Sequence, residues 1–322
     1  MQEVKKIGMV GGDGRMGAAL SSLIRRTDGG SPALRSAEFA VWGIGTPGGD
    51  RVVRCADPYS AVRGADAVIL PLPVSRDGER LFAPAAAAEG AGGRDGEEPE
   101  LLGLIREMRP GVSLFGGRIP ETVWEAGRER GLRITDYFGD EAFQIRNAVP
   151  TAEGAIAACI DTLPVTVAGL RCTVFGYGRV GRTLAQKLRA LGASVTAAAR
   201  SPADRARAES DGCRAVPLAD WRRDPGDDSA LFNTIPARIL DRVTIGRMKP
   251  GTVLFELAPG ADGSLGCDLA AAEGRGIRVI PLPSLPGKCA PRTAGEIIAC
   301  AVWTELEARA EPDGAGAEGG GL

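Results

Sequence analysis

Cys172-Thr173-Val174-Phe175-Gly176-Tyr177-Gly178-Arg179-Val180-Gly181 is the stretch that decides the fold. A short apolar run leads into three glycines spaced GxGxxG. A helical stretch follows from Arg182 to Leu191, closed by Gly192, and a second apolar run from Ser194 to Ala199 ends at Arg200. Strand, glycine turn, helix, strand is the unit that holds a dinucleotide. Gly176 permits the tight turn, Gly178 lets the backbone approach a pyrophosphate, and Gly181 lets the helix pack close to the strand. The backbone of Tyr177, Arg179 and Val180 completes the turn. Free N–H groups and partial positive charge at the helix N-terminus favour phosphates there. The plain alternative is a glycine turn in a Rossmann-like domain that holds no cofactor.

The end of the second strand separates the two nicotinamide coenzymes. An NAD site places an Asp or Glu there to accept hydrogen bonds from ribose hydroxyls. Here the chain reads Ala197-Ala198-Ala199-Arg200-Ser201. No carboxylate stands ready to repel a 2′-phosphate, Arg200 can pair with one, and the Ser201 hydroxyl can donate to it. Arg205 and Arg207 are further cations on the following segment. The reading is NADP, with NAD as the alternative. The plain reading of Arg200 is an exposed strand-end residue.

The 322 residues suffice for two domains, and 44% hydrophobic with 25% charged residues is the balance of a soluble globular protein. A net charge of −2 implies no nucleic-acid or anionic-membrane partner. No apolar run reaches the roughly 20 residues of a membrane span, and the start runs directly into an expected strand, so no signal peptide is expected. The 7 cysteines are scattered without a CxxC pair or metal-ligand spacing. Free thiols in a reducing cytoplasm and no bound metal are the expectation. Histidine is absent altogether. That excludes Ser-His-Asp hydrolysis, His-ligated zinc and the His–carboxylate pair of common 2-hydroxy-acid dehydrogenases.

Along the chain, a second glycine unit stands at the start. A strand from Lys6 to Val10 precedes Gly12, Gly14 and Gly17, and a helix follows to about Arg26. Strands are expected at Phe39–Trp42, Ala67–Leu70, Val112–Phe115 and Leu132–Thr135, with helices at Leu101–Met108 and Glu121–Arg130 and a loose loop from Ala83 to Pro99. A helix from about Thr151 to Leu163 bridges to the second unit. There, strand ends fall at Leu231–Pro236, Val253–Glu256 and Arg278–Ile280, and a last amphipathic helix spans Thr293 to about Ala310. Alternating strands and helices predict an α/β chain: two Rossmann-like, doubly wound parallel sheets joined by bridging helices, with a cleft between them. Residues 1–150 form the expected substrate domain, with 293–310 packing back on it. Residues 151–292 form the NADP-binding domain, and 311–322 a disordered tail. The second glycine unit is the better formed, because the first unit's second strand runs into Trp42-Gly43-Ile44-Gly45.

Asn147-Ala148-Val149-Pro150-Thr151-Ala152-Glu153-Gly154, the Val174–Gly181 turn, Asn233-Thr234-Ile235-Pro236 and Leu285–Gly295 occur in this order and spacing. Together with Leu70-Pro71-Leu72-Pro73-Val74-Ser75 and Phe115-Gly116-Gly117, this set resembles the A subunits of dipicolinate synthases from spore-forming bacteria. The resemblance runs from about Lys6 to Glu307. It implies a cytoplasmic protein of the sporulating mother cell that forms pyridine-2,6-dicarboxylate. The implied substrate is dihydrodipicolinate or its hydroxy-tetrahydro precursor, and the implied partner is a flavoprotein-like B subunit in an oligomer. The first glycine turn is a fuller GxGxxG than that family leads one to expect, and the 83–99 loop is long.

Aromatising such a ring removes one hydride and one proton, and the dianionic substrate calls for cations. Lys288 and Arg292, on an expected loop before the last helix, are candidates for catalytic and substrate-binding charges. Ser75, Asn147 and Thr151 can donate hydrogen bonds to the substrate, and Glu153, in an expected helix start, is the candidate proton acceptor. Asn233 and Thr234 fall where a nicotinamide ribose would lie. Each also has a structural reading: solvated loop charge, turn residue, first-turn acid. Two other functions stay open: a dinucleotide-binding scaffold whose redox step resides on the flavin partner, and a 2-hydroxy-acid dehydrogenase.

Overall fold

The computed structural model describes residues 4–29, 34–45, 49–88, 98–258, 260 and 264–310. The chain divides into two compact units, Met1–Gln144 with Pro291–Leu322, and Ile145–Ala290. The expected tail, 311–322, and the loop at 89–97 lie outside the described residues.

The first unit runs β1 (Lys6–Val10), α1 (Gly14–Gly29), β2 (Glu38–Trp42), β3 (Val52–Arg54), α2 (Pro58–Val62), β4 (Ala67–Ile69), α3 (Pro84–Ala88), α4 (Leu101–Glu107), β5 (Ser113–Gly116), α5 (Glu121–Glu129) and β6 (Arg133–Asp136). Its six strands form one parallel sheet in the order β3-β2-β1-β4-β5-β6. Alternation along each strand feeds two cores. Ile7, Met9 and Phe39 face one side with Leu20 and Leu23, while Val10, Val68 and Leu114 face the other with Leu104 and Val123.

Helix α6 (Glu141–Thr162) leads into the second unit. There follow β7 (Arg171–Phe175), α7 (Arg179–Ala190), β8 (Ser194–Ala199), α8 (Pro202–Ser210), β9 (Arg214–Pro217), α9 (Leu218–Arg223), β10 (Ala230–Asn233), α10 (Arg242–Arg247), β11 (Val253–Glu256), α11 (Leu269–Gly274), β12 (Arg278–Pro281) and α12 (Leu285–Cys289). These strands make a second six-stranded parallel sheet, β12-β11-β10-β7-β8-β9. In both sheets the order reverses beside the first strand, which puts the glycine turn at the switch point where such sheets bind ligands. The fold class read from the sequence is borne out.

Helix α13 (Pro291–Ala310) returns to the first unit and packs on α1. Gly295 makes this close: a β-carbon there would collide with the Arg15 carbonyl.

Three expectations need correcting. The helix expected from Thr151 starts ten residues earlier, because Asp140 Oδ1 caps it by accepting from Phe143 N at 2.6 Å. Pro150 lies inside it, denying the carbonyl four residues back its N–H. The helix continues, with Thr151 Oγ1 donating back to Asn147 O at 2.8 Å and Ala152, Ala155, Ile156 and Cys159 buried in the second core. Second, residues 84–88 of the expected loose loop are helical, with Ala86 buried. Third, the strand at 52–54 and the helix at 58–62 were not foreseen; Asp57 caps that helix by accepting from Ser60 N at 2.8 Å.

Candidate dinucleotide site

The geometry of the second glycine turn assigns each glycine a different job. Gly176 has φ +88°, which only glycine adopts freely, and it carries the chain off β7. A β-carbon on Gly181 would collide with the Gly176 carbonyl, so the first turn of α7 sits directly on the strand end. Around Gly178 a β-carbon would meet nothing within 4 Å. The tight positions are thus filled by protein, and the middle one opens onto free space at the N-terminus of α7. This is the division of labour a pyrophosphate site needs. The helix begins at Arg179 rather than Arg182, so Arg179 and Val180 lie in its first turn.

The turn is held from both sides. Tyr177 points away from the open space: its ring is buried and its hydroxyl donates to Asp211 Oδ2 at 3.0 Å. Arg182 binds the same carboxylate through Nε at 2.8 Å and Nη2 at 3.2 Å. Only the backbone of Tyr177 is therefore left for a coenzyme. On the other side, Thr234 Oγ1 and Thr234 N donate to Phe175 O at 2.7 and 3.1 Å.

Gly176 N donates to Ala198 O at 3.0 Å, which places the end of β8 beside the turn. Two residues on, Arg200 is exposed, and its guanidinium makes no hydrogen bond or ion pair among the described residues. Ser201 caps α8, accepting from Asp204 N at 3.4 Å, and its own proton stays available to donate. The helper cations do other work. Arg205 Nη1 donates to the Ala199 and Arg200 carbonyls at 3.1 and 2.7 Å, and Arg207 pairs with Asp204 at 2.8 Å.

The first glycine turn shares the open middle position, since a β-carbon on Gly14 would meet only Pro291 Cβ at 3.7 Å, but differs in what lies against its other residues. Gly12 N donates to Phe82 O at 2.7 Å and Ala85 N to Gly12 O at 3.2 Å, while a β-carbon on Gly11 would lie 2.9 Å from both Leu81 Cδ2 and Phe82 O. Residues 81–86 of its own unit lie against that turn. The α1 N-terminus also carries its own anion: Asp13 Oδ1 accepts from Arg15 N at 3.1 Å and Arg15 Nε at 2.8 Å. Arg15 itself is buried, with a further bond to the Leu72 carbonyl. A carboxylate, paired with Arg15, thus already caps this helix N-terminus.

The other expected site residues are distributed as follows. Asn233 is fully buried, so its side chain serves the strand end rather than a ribose: Nδ2 donates to Glu256 Oε1 at 2.8 Å and to Ile235 O at 3.1 Å. Glu153 is mid-helix rather than at a helix start, and its exposed carboxylate accepts from Lys187 Nζ at 2.8 Å. Thr151 spends its proton on Asn147 O within α6. Ser75 Oγ donates to Asp77 Oδ1 and accepts from Gly78 N, both at 2.9 Å, closing a turn of its own. Lys288 and Arg292 are on helices, not a loop. Lys288 is exposed on α12, and Arg292 is 85% exposed in the first turn of α13, 3.6 Å from Glu296 Oε1. Ser75 and Arg292 belong to the first unit, Asn147, Thr151, Glu153 and Lys288 to the second.

In the first unit, Arg292, Arg25, Ser21 and Gly14 line a concavity of about 460 Å³. In the second, a concavity of about 700 Å³ is lined by Arg171, Ser194 and Arg214 at the amino ends of β7, β8 and β9 and by Trp221 of α9. Parallel sheets bind ligands at their carboxyl ends, so its size does not make it the coenzyme site. Among the described residues, no group of three or more His, Cys, Asp or Glu could hold a metal, and no helix is long and apolar enough to cross a membrane.

Sequence reading missed Glu256. It ends the apolar run Val253-Leu254-Phe255 and is 1% exposed, and burial outweighs its hydrogen bonds to push its carboxyl above the usual range. An acid closing a buried strand was the available signal.

A switch-point glycine turn with open space over its helix, on a doubly wound parallel sheet, is the arrangement of dinucleotide-binding domains of the dehydrogenase kind. In agreement, residues 151–261 match the family described as D-isomer specific 2-hydroxyacid dehydrogenase, NAD binding domain, a span that holds the second glycine turn and not the first. More particularly, the chain resembles the A subunit of dipicolinate synthase. It is 36% identical to that protein from Bacillus subtilis (strain 168) over 169 residues, which are 52% of this chain and 55% of the relative. The chain thus spans about half the length of this curated relative. The crystal structure of the dipicolinate synthase A chain from Bacillus subtilis superposes with TM-score 0.79 at 27% identity, covering 96% of this chain and 97% of that one. The corresponding dipicolinate synthase structure from Bacillus halodurans gives TM-score 0.80 at 26% identity, covering 97% and 100%. The resemblance read from the motifs is borne out.

Proposed function

We propose that the chain is an NADP-dependent oxidoreductase that forms pyridine-2,6-dicarboxylate from dihydrodipicolinate or its hydroxy-tetrahydro precursor. In this reading it acts in the cytoplasm as the A subunit beside a flavoprotein B subunit. The observation that carries it is an open Gly178 together with an exposed Arg200 after β8 that makes no side-chain bond among the described residues. Gly176, Gly178 and Gly181 would hold the pyrophosphate on the α7 N-terminus, with Arg200 and Ser201 toward a 2′-phosphate. When bound, the nicotinamide supplies the hydride acceptor. Thr234 holds the turn against the strand end rather than touching substrate. Lys288 and Arg292 offer uncommitted or weakly paired cations for a dicarboxylate, and Ser75, Asn147 and Thr151 polar groups. From dihydrodipicolinate one hydride passes to the coenzyme and one proton to water or Glu153, while the hydroxy-tetrahydro precursor must lose one water as well. Gain of aromaticity drives the step, so the absence of an imidazole is no obstacle.

One observation favours a second reading, in which the chain is a scaffold and the flavin partner performs the redox step: Glu153, Lys288 and Arg292 are all exposed. A 2-hydroxy-acid dehydrogenase fits less well, since the His of that chemistry has no counterpart. The purified chain, supplied with NADP and freshly generated dihydrodipicolinate, separates the two. NADPH formation without a partner supports the oxidoreductase; coenzyme binding with no turnover supports the scaffold.

A further inference from the structure

Asn233 and Glu256 are register partners at the carboxyl ends of β10 and β11, 0% and 1% exposed. Glu256 Oε1 accepts from Asn233 Nδ2 at 2.8 Å and from Ala258 N at 3.3 Å, and Oε2 accepts from Gly266 N at 2.9 Å. Among the described residues no Lys or Arg pairs with it. A buried charge balanced only by N–H dipoles is costly to keep. Nearby, a β-carbon on Gly266 would collide with Asn233 Nδ2, so the pair is enclosed.

The pair acts on the residues that follow it. Asn233 Oδ1 accepts from Ile235 N at 3.0 Å, and Nδ2 donates to Ile235 O at 3.1 Å. Ile235 and Thr234 wall the glycine turn. A β-carbon on Gly176 would meet Thr234 Oγ1 at 2.8 Å and Ile235 Cγ1 at 2.9 Å, and one on Gly181 would meet Thr234 Oγ1 at 3.0 Å. The carboxylate fixes which way the Asn233 amide faces, and the amide fixes Ile235.

We infer that Glu256, acting through Asn233, is a positioning residue for the dinucleotide turn. It holds Thr234 and Ile235 against Gly176 and Gly181 without touching the coenzyme. This rests on the reading that the turn binds a dinucleotide. A carboxylate is required because both oxygens face donors. A glutamine would aim its own NH2 at Gly266 N or at Asn233 Nδ2, leaving a buried donor unmet.

The test compares the full chain with Glu256→Gln and with Glu256→Asp. NADP and NAD are titrated into each by calorimetry, and thermal unfolding is followed in parallel. We expect Glu256→Gln to bind both coenzymes about tenfold more weakly, equal to about 1.4 kcal/mol, with the NADP-to-NAD ratio unchanged. A purely structural role would lower the unfolding midpoint while leaving the affinity of the folded protein at the parent value, and that result overturns the inference. Should Glu256→Gln fail to fold, Glu256→Asp keeps the charge but shortens the reach. Affinity below the parent supports the inference, and parent affinity overturns it. Absence of binding by the parent chain would instead remove the dinucleotide reading itself.

Discussion

Tyr177 Oη lies 3.0 Å from Asp211 Oδ2, so the second residue of the glycine turn is anchored to the residue that ends α8. The turn depends on a phenol that never faces the ligand side. Tyr177→Phe keeps the ring and loses the bond, while Asp211 retains Arg182. Equilibrium denaturation should show a loss of about 0.5–1.5 kcal/mol. No loss would mean that the bond does not form in solution.

The glycines separate fold from ligand. Gly181→Ala forces a β-carbon into the Gly176 carbonyl and should cost about 1–3 kcal/mol of stability. Gly178→Ala places a methyl in open space and should leave the unfolding midpoint within a degree or two of the parent while weakening coenzyme binding. Equal destabilisation by both would contradict the geometry.

Arg200→Glu removes an unpaired guanidinium and adds a repelling charge. NADP affinity should fall by roughly 1.5–3 kcal/mol, as for a lost charge-assisted bond, and NAD affinity should change little. Equal effects on the two coenzymes would assign Arg200 to the surface.

Asp241 caps α10, accepting from Thr244 N at 2.8 Å, and it also binds Arg222. The Thr244 bonds, then Arg222, hold its carboxyl down at about 2. A carboxyl depressed in the folded state contributes stability above its ordinary value of roughly 3.9 and loses it as pH falls towards the folded value. Denaturation curves across acid pH should therefore lose slope in this window in Asp241→Asn. Glu256 has the opposite sign: burial raises it, so its contribution declines as pH rises from the ordinary glutamate range through the raised folded value. An unchanged acid slope in Asp241→Asn would remove the capping assignment.

Much of the fold was legible because the strands are short apolar runs set off by glycines, such as Gly192 and Gly251. Ser194–Ala199 and Val253–Glu256 were read to the residue. The start of α6 was not, because Pro150 resembles a boundary and the true cap, Asp140, lies ten residues upstream. At the site, the glycines and Arg200 were legible because backbone geometry and a missing acid are local signals. The partners of Asn233, Glu153 and Ser75, which are Glu256, Lys187 and Gly78, were not legible because they depend on packing or on a turn that spacing does not display. Two sequence-alike glycine turns, both open at the middle glycine, were told apart only by what lies beside it: Phe82 and Asp13 against the first, the exposed Arg200 at the strand end next to the second.

The most direct measurement is calorimetric titration of the purified chain with NADP and with NAD. The expected result is one coenzyme per chain, tighter for NADP, with binding weakened by Gly178→Ala. No heat from either coenzyme at millimolar concentration would contradict the account.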